Sequence, residues 1–83
     1  MKQVHLYALS TCGWCRKTRH FLEDNDIEHE CTYVDQLKGA ERDEVMRIVR
    51  QWNPKGSFPT IVVDNTEVIV GFKEDKLREV LEL

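Results

Sequence analysis

Short apolar runs alternate with stretches of helical periodicity along this chain. That alternation restricts it to a sheet layered against helices. Val4-His5-Leu6-Tyr7-Ala8-Leu9 is mostly apolar rather than alternating, the pattern of a strand covered on both faces. Ser10 and Thr11 supply cap-type residues. A helix follows from Cys12 or Gly13 to Asp24, with Phe21 and Leu22 late on its inner face, and Asn25-Asp26 ends it. His29 to Val34 reads as the next strand and Asp35 to Gly39 as a connection. Ala40 to Trp52 is a second helix, with Val45, Ile48, Val49 and Trp52 at helical spacing and acidic residues in its first turn. Asn53-Pro54-Lys55-Gly56 stops it.

Pro59 precedes a third strand, Thr60 to Val63. Asp64-Asn65 makes a tight turn, and Glu67 to Val70 returns as a fourth strand. Gly71-Phe72 leads to a last helix with Leu77, Val80 and Leu81 facing inward. The order βαβαββα implies an α/β fold. Strands one and two are parallel through a right-handed crossover, and the last two form an antiparallel hairpin. A four-stranded mixed sheet flanked by three helices follows.

Eighty-three residues make one domain, 1–83, with a single modest core. Hydrophobic residues are 41% and charged residues 33%, a globular rather than a disordered balance. The net charge of −3, with both signs interspersed, lacks the basic face that nucleic acid requires. No apolar run approaches the ~18 residues of a membrane span. The stretch from Met1 to His5 has no apolar segment or cleavage site of a signal peptide. Three cysteines is an odd count for a secreted disulfide scaffold. It fits a reducing cytoplasm, with one functional pair and one spare thiol. A monomer is the default assembly.

The chemistry lies in Cys12-Gly13-Trp14-Cys15, where strand one gives way to helix one. A C-x-x-C beside a βαβ pattern reads as a thioredoxin-like redox motif. The two intervening residues let both sulfurs meet across the first helical turn. Cys12 sits among unsatisfied N–H groups at the positive end of the helix dipole, which favours the thiolate, the reactive form. Cys15, one turn in, is more buried. Cys12 is therefore the nucleophile that attacks a substrate disulfide, and Cys15 resolves the mixed disulfide. Arg16, Lys17 and Arg19 add positive potential or form a solvated helix face.

Cys31 reads as a core thiol, Trp14 as a half-exposed contact for a docking partner, Trp52 as a core anchor and Asp35 as a turn residue. His5 and His20 have no obvious partners. The rival from another class is a metal module: Cys12, Cys15, His29 and Cys31 count to four zinc-type ligands, and the reduced dithiol of a dimer is a variant for zinc or iron–sulfur. The redox reading needs no metal.

Taken together, the chain resembles the glutaredoxin family over nearly its whole length. The matching pieces are Tyr7 five residues before Cys12, the Cys12-Gly13-Trp14-Cys15 site, Ser57-Phe58-Pro59-Thr60 in place of the family's T-V-P, and the Gly71 turn before the last helix, with Thr11 and Gly13 as supporting residues beside the cysteines. The resemblance implies a minimal thioredoxin fold and a cis Phe58–Pro59 bond beside the dithiol. It also implies a substrate groove from Trp14, Phe58, Pro59, Thr60, Gly71 and Phe72. Two departures bear on the electron donor. Leu9 stands where glutathione-using members usually carry Lys or Arg, and Gly71-Phe72 replaces their G-G. Gly-Phe resembles the ribonucleotide-reductase-linked redoxins (NrdH-redoxins), which draw electrons from a flavin-dependent reductase. The Leu9-Ser10-Thr11-Cys12 and Asn53-to-Thr60 runs are similar to glutaredoxin-like proteins of anaerobic bacteria and archaea, whose reductants vary. The implied partners are protein disulfides, ribonucleotide reductase among them, and a reductase, with glutathione the alternative donor. Glu74 or Asp75 is then the group to hold its amine.

Overall fold

The two most continuously apolar runs become the two central strands of the sheet. The computed structural model describes residues 2–83; Met1, where the run read for a signal segment begins, lies outside them. The strands are β1 (Val4–Ala8), β2 (Glu30–Tyr33), β3 (Thr60–Val63) and β4 (Glu67–Val70), in the order β2-β1-β3-β4. β1 runs parallel to β2 and antiparallel to β3, and β3 is antiparallel to β4. All of β3 and nearly all of β1 are buried, as strands covered on both faces must be, while edge strands β2 and β4 stay half-open.

The helices are α1 (Gly13–Asp24), α2 (Gly39–Trp52) and α3 (Glu74–Leu81). They divide between the sheet faces as the period of two along a strand dictates. Val4, Leu6 and Ala8 of β1, with Ile61 and Val63 of β3, pack against Phe21 and Leu22 of α1 and Leu77 and Val80 of α3. The alternate residues Tyr7 and Val62 pack against Val49 of α2, with Val45, Ile48 and Trp52 beside it.

Boundaries move where a turn competes with the ladder. Leu9 leaves β1 because its carbonyl accepts the Cys12 N–H at 3.2 Å, closing a turn. His29 and Val34 fall outside β2, since its register with β1 ends at Glu30 and Tyr33 and Val34 begins a 3₁₀ turn to Gln36. α1 stops where Asn25 Nδ2 donates to the Phe21 carbonyl at 2.8 Å and Asp26 turns left-handed at φ 55°. Asp64 and Asn65 are also left-handed, and Thr66 N–H closes the turn on Val63. His5 has partners that the sequence does not announce: its ring stacks on Tyr7 and its Nε2 pairs with Thr32 Oγ1 at 2.7 Å.

Asn53 does more than end α2. Its side chain is buried, and Nδ2 donates to the Ser57 carbonyl, Ser57 Oγ and Thr60 Oγ1 at 3.0–3.2 Å. It thereby fixes the loop that delivers Pro59 to β3. Replacing Asn53 with Ala leaves buried Thr60 short of a partner. Equilibrium urea unfolding is expected to show a loss of about 2 kcal/mol, whereas Thr66→Ala, at the exposed hairpin, should lose under about 0.5 kcal/mol.

Candidate functional site

The β1–α1 junction places Cys12 at the N-cap of α1, with extended backbone angles of φ −90° and ψ 120°. Cap duty falls to Cys12 rather than to Ser10 or Thr11: its Sγ accepts the Cys15 N–H at 3.2 Å. A sulfur at the cap position lies where the helix presents unpaired donors and its positive dipole end. Ser10 is otherwise engaged. Its N–H donates to Asp35 Oδ1 at 2.9 Å and its hydroxyl to Oδ2. These bonds hold the Asp35 carboxyl below its ordinary range. Asp35 is thus a tether between the loop after β2 and the loop bearing Cys12, a role that its position in sequence does not reveal.

The two sulfurs differ sharply in surroundings. Cys12 is half-buried and Cys15 only 2% exposed. Burial first, then the hydrogen bond with Cys12, push the Cys15 thiol up to about 12 from an ordinary 9.0; a backbone hydrogen bond at Leu9 opposes this, while the charges of Cys12 and Cys31 add to it. Thr18, fully buried one turn on, donates its hydroxyl to the Trp14 carbonyl at 2.8 Å and so ties the first turn of α1 to the second.

On one flank of the dithiol lies a shallow groove of about 240 Å³ lined by Trp14, Phe58, Pro59, Gly71 and Phe72. The Phe58–Pro59 bond is cis. The Pro59 carbonyl accepts the Gly71 N–H at 2.8 Å, and Gly71, at φ +82°, occupies the region open to glycine. Trp14 is 59% exposed; its ring stacks on Phe72 with centroids 6.3 Å apart, and Lys17 Nζ lies 4.8 Å from the ring centroid. Phe72 meets Phe21 edge-on at 6.0 Å, so the aromatic cover of the groove is anchored in the core. Thr60, expected in this groove, does not line it: its side chain is fully buried and donates its hydroxyl to the Ser57 carbonyl. Arg16 borders a separate hollow beside Cys12, and Thr11 and Gly13 are exposed in the junction itself.

Other expected residues do not converge. Tyr7 packs on the α2 side of the sheet, away from the Cys12 cluster; it meets the site through Phe58, which both clusters share, and through its pairing with Thr60. The metal constellation is not assembled. Parallel pairing leaves His29 before the start of β2, at the opposite end of the sheet from Cys12, with Nδ1 donating to the Ile27 carbonyl at 2.9 Å. Cys31 pairs with Leu6 midway along edge strand β2, packed on the core, and burial raises its thiol. No group of three or more His, Cys, Asp or Glu among the described residues is placed to hold a metal.

Comparison with known proteins agrees with this geometry. Residues 4–68 match the sequence model of the Glutaredoxin family. The chain is 29% identical over 80 residues to an uncharacterized glutaredoxin-like 8.6 kDa protein in the rubredoxin operon of Clostridium pasteurianum, covering 95% of this chain and 97% of that protein. Among solved structures, the glutaredoxin of Methanosarcina mazei superposes with a TM-score of 0.92 at 44% identity, covering 98% of this chain and 79% of that one. Methanoredoxin of Methanosarcina acetivorans gives 0.94 at 40% identity, covering 98% and 85%. The four-stranded sheet and three helices are the thioredoxin-like fold of these neighbours.

The shifted Cys15 thiol links to stability with a definite sign. Its folded value lies above the unfolded one, so this part of the stability is intact below pH 9.0 and is lost as pH climbs toward about 12. The urea midpoint of the reduced protein is expected to fall from about pH 9 upward more steeply than that of Cys15→Ala. Parallel slopes would contradict the assignment.

Proposed function

The chain belongs to the glutaredoxin family, and on that premise we propose that it is a thiol–disulfide oxidoreductase that reduces protein disulfides by dithiol exchange through Cys12 and Cys15. One observation carries this reading: an accessible sulfur caps α1 while the partner thiol, three residues on, is buried beneath it, N–H to sulfur at 3.2 Å. The Cys12 thiolate attacks a substrate disulfide, forming one S–S bond as another breaks, and the displaced thiolate takes up a proton. Cys15 then surrenders its proton and attacks Cys12, releasing the second substrate thiol and leaving the Cys12–Cys15 disulfide. The order follows from the surroundings. While Cys12 is free, its hydrogen bond and charge help keep the Cys15 proton in place. Once Cys12 is in a mixed disulfide that charge is gone, and Cys15 is released to attack.

An extended substrate segment lies against the groove of Trp14, Phe58, Pro59, Gly71 and Phe72, with Lys17 beside the Trp14 ring. Backbone pairing and apolar contact serve there better than charge. The donor in this reading is a flavin-dependent reductase rather than glutathione. Two features support it: Leu9, not a cation, walls the hollow beside Cys12, and Phe72 closes over Trp14 at the G-G position. No described helix is long and apolar enough to cross a membrane. The proposed setting is a cytoplasmic monomer acting on protein disulfides, with that of ribonucleotide reductase the first to test.

The oxidised protein is offered glutathione with its reductase, or NADPH with a thioredoxin-reductase-type enzyme, and NADPH consumption coupled to a disulfide substrate is followed. Turnover is expected with the flavin enzyme and at least tenfold less with glutathione; the reverse would make glutathione the donor. Cys12→Ser should abolish turnover in both, and Cys15→Ser should accumulate a mixed disulfide on Cys12, visible by intact mass. Full activity of Cys12→Ser would end the dithiol reading.

A further inference from the structure

Trp14 is a ridge between two surfaces. On one side lies the groove that holds Pro59; on the other, along the outer face of α1, a second shallow groove of about 500 Å³ is lined by Gly13, Trp14, Arg16, Lys17 and His20. Positions 13, 16, 17 and 20 are three or four apart, so they share one helix face. The charge on this face is one-sided. Residues 13–20 hold three of the chain's twelve Lys and Arg and none of its fifteen Asp and Glu. A helix N-terminus favours carboxylates, and α2 and α3 follow that rule with Glu41 and with Glu74 and Asp75; α1 has no acidic residue in its first turn. Among the described residues, Arg16, Lys17 and His20 form no ion pair, whereas Arg19, Arg47 and Arg78 each meet a Glu on their own helix. Lys17 is instead held over the Trp14 ring. Support of the Cys12 thiolate does not account for the length of the stripe. At about 1.5 Å per residue, His20 lies about 12 Å along α1 from Cys12, beyond the roughly 8 Å Debye length at physiological salt.

We propose that this face docks an acidic segment of the protein whose disulfide Cys12 attacks, with carboxylates of that segment against Arg16, Lys17 and His20. The proposal rests on the dithiol reading above and names the substrate's charge and its placement. An extended chain covers about 3.3 Å per residue, so the 12 Å stripe takes about four residues flanking the attacked cysteine. The chain as a whole carries −3, so the surface outside this stripe is negative and repels the same partner, which sets its orientation. The chemistry is unchanged: the thiols of Cys12 and Cys15 become one disulfide as the substrate disulfide becomes two thiols, and no further oxidant or reductant enters.

The test uses three disulfide-bridged peptides of one length, in which the four residues outside each cysteine are all Glu, all Gln or all Lys. Oxidation of the reduced protein by each is followed by quenched alkylation and mass, and each rate is divided by that of dithiothreitol with the same peptide. In 20 mM NaCl the Glu peptide is expected to react about tenfold faster than the Gln peptide, and the Lys peptide more slowly than either; in 500 mM NaCl the Glu-to-Gln ratio should fall below about two. Lys17→Glu and His20→Glu should each lower that ratio at least about threefold at low salt. Both residues are exposed, and damage to the fold would slow all three peptides together rather than change their ratio. Equal rates for Glu and Gln, a faster Lys peptide, or a Glu preference that survives both variants would overturn the proposal and leave dithiol exchange standing. Sedimentation in 20 mM NaCl is expected to show a monomer; a dimer that His20→Glu dissolves would give this face to a second copy and also overturn it. If no peptide oxidises the dithiol, the dithiol reading falls with it.

Discussion

The first turn of α1 is closed by a sulfur, and much of the site follows from that contact. Cys15 N–H points at Cys12 Sγ because Cys12 occupies the N-cap, where a side-chain acceptor normally satisfies a free backbone donor. A hydroxyl there would serve the helix as well but would do no redox chemistry. The sulfur therefore has a structural and a chemical part in one position. It is steadied by the Leu9–Cys12 turn behind it and by the Ser10–Asp35 bonds that tie this loop to the strand-two side of the sheet.

The same contact produces the asymmetry between the thiols. The helix that exposes residue 12 must carry residue 15 inward, since three positions bring the chain almost one full turn. Cys15 thus enters the core with Phe21 and Leu22, and burial holds its proton. Sequence order, helix pitch and core position together set the two thiols in different surroundings.

The architecture was legible because it rests on patterns of long range. The unbroken apolar character of Val4–Ala8 and Thr60–Val63 marks the central strands, and the helical spacing of Val45, Ile48, Val49 and Trp52 marks the α2 face. The C-x-x-C spacing at a strand-to-helix junction located the dithiol for the same reason. What stayed hidden depends on pairs far apart in sequence. Asp35 with Ser10, His5 with Thr32 and Arg19 with Tyr33 meet only once β2 lies beside β1. The four-ligand count of Cys12, Cys15, His29 and Cys31 failed by the same rule, because parallel pairing sends His29 to the far end of the sheet. Tyr7 was near Cys12 in sequence, yet the alternation of a strand turned it to the opposite face.

The two departures from the family pattern make sense as a pair when the flanks of Cys12 are compared. On the groove side, Phe72 adds an aromatic ring bridging Trp14 and Phe21, so that flank is apolar. On the other side, Leu9 gives up a flexible cation in the loop, but Arg16 and Arg19 put guanidinium groups there from the helix. A charge on a helix face, braced by Tyr33, is held more firmly than one on a loop. The positive field beside the reactive sulfur is therefore not lost with Leu9. It is set instead on the first turns of α1.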